Sequence, residues 1–342
     1  MAVSEGVLLG LGNPLLDIST TCDKDFLEKY GLKPNDAILA EEKHHKMYTE
    51  MVEKFDVEYI AGGATQNTIR VAQWILGVPN ATSYFGCVGK DKFGDTLKAK
   101  AEEAGVRVHY QYDEKEPTGT CAVLLTGHDR SLCAYLAAAN CYNKDHLVLP
   151  ENWEFVKAAK VIYVGGFHLT VAPPAIQALG QHAFEENKTF CLNLSAPFLC
   201  QFFKEPMMAA MPYVDVLFGN ETEAATFSKE QNFETENVKE IALKMCSLPK
   251  KNDKKSRIVV ITQGTDPVLV AKDGNVTEYE INKIPAKDIE DTNGAGDAFA
   301  GGFLAQLVQG KPIEECVRCG NYAANYIIKQ SGVKTPDKCD FK

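Results

Sequence analysis

Short apolar runs alternate with amphipathic stretches along most of this chain, and that alternation limits its architecture more than any other feature. Val7-Leu8-Leu9-Gly10 reads as a strand ending in turn residues. Glu58-Tyr59-Ile60 leads into Gly62-Gly63, after which Ile69, Ala72 and Leu76 share one helical face at i, i+3 and i+7. Residues 81–86 read as a strand, and residues 92–104 as a charged helix stopped at Gly105. The rhythm resumes with strands at 161–164, 189–194, 214–218 and 258–262. Helices follow Pro173-Pro174, Asn220 and Gly294. Strand-then-helix repetition predicts an α/β fold: a doubly wound, mainly parallel sheet with helices on both faces. Ligands in such sheets bind beyond the carboxyl ends of the strands. That is where this sequence places its Gly, Asn and Asp residues.

Two stretches break the rhythm, and both read as short strands and turns. In the second, Cys121–Leu125 and Ser131–Tyr135 are joined by Gly127-His128-Asp129-Arg130, a hairpin signal. The expected organisation is a large α/β domain over residues 1–17, 64–116 and 140–342. A small β-rich lid takes residues 18–63 and 117–139.

Charge and cysteine usage narrow the function. The 342 residues carry 36 Lys and Arg against 46 Asp and Glu, a net −10, which argues against a nucleic-acid partner. The one basic cluster, Lys250, Lys251, Lys254, Lys255 and Arg257, reads as a solvated loop, with nuclear import as the alternative. No window reaches the ~18 consecutive apolar residues of a membrane helix, and no basic residue precedes Lys24, so a signal peptide is not expected. Eleven cysteines without framework spacing read as reduced thiols, and the lone Cys316-x-x-Cys319 pair as chance. The expected location is cytoplasmic, with a nuclear fraction left open by the basic cluster.

Four segments carry chemistry. In Asp291-Thr292-Asn293-Gly294-Ala295-Gly296-Asp297, small residues open a helix whose first amides lack intrahelical acceptors and sit at the positive dipole end. That is an anion hole suited to phosphate. Asp297 beside it reads as a base; at an ordinary pKa of ~3.9 it is ionised at neutral pH and accepts a proton late, as a phosphoryl group transfers. Gly62, Gly63 and Asn67 at a strand-to-helix junction suit sugar hydroxyls, or form a plain tight turn. Gly10-Leu11-Gly12-Asn13-Pro14-Leu15-Leu16-Asp17 fails as a dinucleotide fingerprint because Leu15 stands at the sixth position. Its Asn13 and Asp17 suit vicinal hydroxyls, or serve as a turn and a cap. Asn220-Glu221-Thr222-Glu223 suits a hydrated Mg2+, or forms a helix capping box.

These pieces, in this order, resemble the ribokinase-like (PfkB) carbohydrate kinase family. Residues 291–302 are similar to its C-terminal signature and Gly62-Gly63 to Asn67 to its N-terminal one, and the likeness runs from about Val7 to the end. Residues 12–17, 136–142, 193–198 and 218–224 are similar to segments of its nucleoside-phosphorylating members. The resemblance implies a ribokinase-like fold and ATP- and Mg2+-dependent phosphorylation of the 5′-hydroxyl of adenosine. Asp297 would take the proton and Gly294, Ala295 and Gly296 would hold the transferring phosphate. Arg130 from the lid would approach it. Asp17, Gly62, Gly63 and Asn67 would hold the ribose, with Asn13 nearby. Phe167 would stack on the base, between apolar walls of Leu132, Ala134 and Phe198. Asn220, Thr262, Gly264 and Asn293 would border ATP, and Asn220 with Glu223 would place Mg2+. A monomer is expected. Two departures stand out: Ala64 where the family has Ser, and Asn321 where it has His. The alternatives are a kinase for inosine, guanosine or ribose, and a non-catalytic purine-binding protein.

Overall fold

The apolar runs assemble into two sheets, the larger of nine strands. A computed structural model describes residues 3–33, 37–126 and 129–342. The strands in chain order begin with Leu8–Leu11 (β1), Leu15–Thr21 (β2), Ala37–Leu39 (β3) and Glu58–Gly62 (β4). Thr82–Gly89 (β5), Arg107–Asp113 (β6), Thr120–Thr126 (β7), Asp129–Tyr135 (β8) and Val161–Gly165 (β9) follow. The last are Thr189–Asn193 (β10), Val216–Asn220 (β11), Ile258–Gln263 (β12), Asp266–Lys272 (β13) and Asn275–Tyr279 (β14).

Nine strands form the larger sheet in the order β14-β13-β12-β11-β10-β9-β1-β5-β6. Its pairings are parallel from β12 through to β6, and antiparallel where β13 and β14 extend the edge. Helices cover both faces, so β1, β5 and β9 are buried along their whole length. The architecture is the mixed α/β sheet that the alternation predicts. Because β1 lies between β5 and β9, the strand order reverses there, and a crevice opens at the carboxyl ends of the strands.

The helix Ala295–Leu307 is apolar all round and packs between Ala64–Leu76 and Ile313–Ile327. Gly301 and Gly302 set that packing. A Cβ on Gly301 would stand 2.6 Å from the Thr68 carbonyl, and one on Gly302 2.5 Å from that of Cys319. These glycines of the C-terminal signature therefore serve helix-to-helix approach.

The remaining strands form a second sheet in the order β3-β8-β7-β2-β4. β7 and β8 pair antiparallel as the hairpin signal predicts; Gly127 and His128 of its turn lie outside the described residues. One expectation is corrected here. Between β2 and β4 the chain holds two helices, Lys24–Lys29 and His45–Lys54, rather than short strands and turns alone. Asp23 caps the first by accepting from the Phe26 amide at 2.9 Å, and the second buries Met47, Tyr48 and Met51 on one face.

The basic cluster is corrected as well, because it is not simply a solvated loop. Arg257 is 1% exposed, and its guanidinium donates to the carbonyls of Met211, Val214, Met245, Leu248 and Pro249 at 2.7–3.1 Å. Lys250 forms a buried pair with Asp215 at 2.6 Å. Lys251 and Lys254 remain exposed. All eleven cysteines are free, and Cys316 and Cys319 are buried along their helix. Among the described residues no helix is long and apolar enough to cross a membrane.

Candidate active site

The crevice at the strand ends gathers residues from six separate segments. A cavity there is lined by Phe167 beyond β9, Asn193 and Ser195 beyond β10, and Asn220 and Glu223 beyond β11. Thr262 at the end of β12 and Gly296 and Asp297 of the apolar helix complete its polar lining. Ala64 also lines it, so the hydroxyl lost relative to serine is lost from the cavity wall. Asn321 does not line it.

Two helices begin at this cavity, and they begin differently. Asn220 caps the helix Glu221–Glu230: its Oδ1 accepts from the Glu223 amide at 2.8 Å. In return the Glu223 carboxylate accepts from the Asn220 amide and Nδ2, both at 3.0 Å. The capping box read as the plain alternative is therefore present, and it occupies the Asn220 and Glu223 amides. The helix at Ala295 starts instead from Gly294 at φ +79°, with no side-chain cap. The Ala295 amide donates to the Thr292 carbonyl at 3.3 Å, and the following first-turn amides are left for an outside acceptor. Asn293 supports the turn from behind, its backbone and side-chain nitrogens both donating to Asp291 Oδ1 at 2.9 Å.

Asp297 sits in that first turn, half-buried. Its Oδ2 accepts from Asn67 Nδ2 at 3.1 Å, so the first turns of two helices meet at this carboxylate. The expectation of an ordinary, fully ionised Asp is corrected. Burial pushes the Asp297 carboxyl up to about 7; the Asn67 hydrogen bond works against the rise, and the nearby Asp17 and Glu223 carboxylates add to it. Burial likewise raises Glu223. A base poised near neutrality is better matched to proton transfer at neutral pH than one at ~3.9. The kcat/KM profile is therefore expected to fall on its acid side with a midpoint near 7, as read from initial rates between pH 5 and 9. Asn67→Ala removes the lowering hydrogen bond and should move that limb upward; an unmoved limb would detach Asn67 from the carboxylate.

The glycine pair is shaped by close approach. Gly63 adopts φ +90°, and a Cβ there would stand 2.3 Å from the Asn13 carbonyl. A Cβ on Gly62 would overlap the Asp17 carboxylate at 2.3–2.6 Å. These contacts bring Asn13, Asp17 and Asn67 together around one strand-to-helix junction. Asn13 Oδ1 accepts from His168 Nδ1 at 2.7 Å. His168 is fully buried, and burial pushes its ring down to about 3, so the imidazole is neutral. The Phe167 and Phe198 rings lie 6.1 Å apart at 47°. Leu132 and Ala134, two apart on β8, stand on the second sheet and do not line the cavity. Gly264 turns the chain after Thr262 at φ +58°, also off the cavity wall. The Arg130 side chain lies outside the described residues.

A family model described as pfkB family carbohydrate kinase matches residues 24–339. This chain belongs to the pfkB family. It is 58% identical over 337 residues to adenosine kinase 1 of Arabidopsis thaliana, with 98% of each chain covered. Among solved structures it is similar to Anopheles gambiae adenosine kinase in complex with P1,P4-di(adenosine-5) tetraphosphate. There the identity is 51%, the coverage 96% of this chain and 97% of that one, and the TM-score 0.87. Adenosine kinase from Schistosoma mansoni in complex with adenosine and AMP is 37% identical, covers 97% and 98% of the two chains, and has a TM-score of 0.86.

Some residues of this pfkB-family site were not singled out from the sequence. Ser195, at φ +64°, holds a strained backbone at the cavity, and its hydroxyl accepts from the Gly166 amide at 2.8 Å. Asn193 accepts from the Ser195 amide at 2.9 Å and donates to Tyr163 Oη at 3.0 Å. Their segment resembled the family, which was the available signal. Nothing local pointed to His168, whose partner lies on a different strand end.

Proposed function

We propose that this chain is an ATP:adenosine 5′-phosphotransferase. The observation that carries the reading is Asp297, a half-buried carboxylate raised toward neutral pKa, beside a helix N-terminus on the same turn that no side chain caps. A protein that only binds purines has no use for that base. Asn67 holds Oδ2 of Asp297, leaving Oδ1 to accept the proton of the attacking 5′-hydroxyl. The amides at Gly294, Ala295 and Gly296 receive the phosphoryl oxygens as charge moves onto them. Asp17, Gly62, Gly63 and Asn67 hold the ribose with Asn13 alongside. The Phe167 and Phe198 rings take the base, with Leu132 and Ala134 arriving from the second sheet.

ATP lies along Thr262, Gly264, Asn220 and Asn293. The donor set suits Mg2+ held through water. Asn220 uses two of the lone pairs on the Glu223 carboxylate, the rest remain, and Glu223 makes no ion pair among the described residues. When bound, Mg2+ neutralises charge developing on the phosphates. Residues 18–63 and 117–139 act as a lid that excludes water as a competing acceptor, and Arg130 approaches the phosphates from it. The protein works as a monomer in the cytoplasm.

Incubation with ATP, Mg2+ and adenosine, followed by chromatography, should yield AMP and ADP in equal amounts. Phosphorylation of ribose or inosine in preference to adenosine would overturn the assignment. Asp17→Ala removes a charged acceptor of two hydroxyls and should weaken adenosine binding roughly 10- to 100-fold, with ATP binding changed less than about twofold. Equal nucleoside dissociation constants by calorimetry would take Asp17 out of the ribose site.

A further inference from the structure

Behind the Gly62-Gly63 junction lies a second cavity of ≈530 Å3, within the range of small-molecule sites. Its walls come from β4, the helix Ala64–Leu76, the end of the helix Lys92–Glu103 and the segment 334–337. Arg70 lines it, one turn along its helix from Asn67, and is 9% exposed. Only its Nη1 is satisfied, donating to the carbonyls of Ala61 and Val333. Its Nε is buried with no partner, and so is the indole nitrogen of Trp74 on the same wall.

The remaining nitrogen, Nη2, has no acceptor among the described residues and is not among the sealed atoms, which makes it the one facing the cavity. Arg70 forms no ion pair among the described residues; Asp17 acts on its charge only from a distance. A buried guanidinium held by two neutral carbonyls, with Asp17 acting on its charge but not touching it, lacks the direct ion-pair partner that burial ordinarily demands. The carboxylates on the cavity wall do not supply it. Glu58 is committed to Lys334 at 2.7 Å and Glu103 to Lys100 at 3.0 Å, while Asp337 is exposed.

We propose that this cavity binds a small oxyanion, a phosphate or carboxylate group, on Nη2 of Arg70. A guanidinium N–H is a charge-assisted donor to either group. Lys100 and Lys334 at the rim add positive charge once the anion competes for them. The site is separate from the catalytic cavity and does not depend on the activity proposed above.

The chain contains two tryptophans, so 15N-labelled protein gives two indole resonances, assigned by Trp74→Phe. Titration with inorganic phosphate, and separately with succinate, should move the Trp74 resonance saturably for at least one of them while Trp153 stays put. Sodium chloride at matched ionic strength should leave both unmoved. Arg70→Gln should weaken the saturating response at least tenfold. Arg70→Lys, which keeps the charge and removes the Nη2 donor, covers the case in which Arg70→Gln does not fold. Phosphate alone, or succinate alone, identifies which group the site takes. No saturable shift with either anion, an equal shift with chloride, or an undiminished response in the Arg70 variants would overturn the proposal. Phosphate at the Gly294–Gly296 turn would give that last result.

Discussion

Asp297→Asn is expected to lower kcat by roughly 10²–10⁴ while the adenosine dissociation constant changes less than about threefold. Asparagine keeps the shape of the side chain but cannot take a proton from the attacking hydroxyl. Near-normal turnover would remove Asp297 from the mechanism. The same substitution has a second, opposite effect on stability. The Asp297 carboxyl sits at about 7 in the folded protein, against ~3.9 unfolded. The native state thus binds this proton more tightly, and the stability it contributes is full below about pH 4 and lost as pH rises through 7. Asparagine has no proton to lose. At pH 8 the variant should melt several degrees above the parent, on the order of a few kcal/mol, and the two melting curves should converge near pH 4. A gain in alkaline stability with a loss of turnover is the signature of a carboxylate kept in an unfavourable place for chemistry.

Arg257→Met should destabilise the fold by about 4 kcal/mol, a roughly thousandfold change in the unfolding equilibrium. Five main-chain carbonyls converge on that one guanidinium, and methionine offers them no donor. Urea unfolding measures the loss. Arg257 precedes β12, at the end of the strand opposite Thr262 and the catalytic cavity. The folded fraction should therefore keep its kcat below the melting transition. A change of less than about 1 kcal/mol would show that water replaces the guanidinium.

The parallel sheet was legible because its strands are continuous apolar runs and its helices carry regular faces. The same periodicity was present in His45–Lys54, where Met47, Tyr48 and Met51 mark one side, but the surrounding turn residues masked it. The Gly294–Asp297 turn and the glycine pair could be read locally, since their chemistry follows from neighbours in the chain. The raised pKa of Asp297 could not. It arises from burial and from Asp17 and Glu223, which only the folded chain brings near. Arg257 and Lys250 were misread for a related reason: a charge cluster in a sequence does not show the carbonyls and carboxylate waiting for it.

The chain passes from the nine-stranded sheet to the five-stranded one at Asn13-Pro14 and returns at Gly63, where β4 gives way to the helix Ala64–Leu76. Those crossings fall on the residues assigned to the sugar. On the proposed ribose contacts, this joint is built from its own recognition groups, and a substitution there that changes nucleoside preference is expected to change the product-release rate as well.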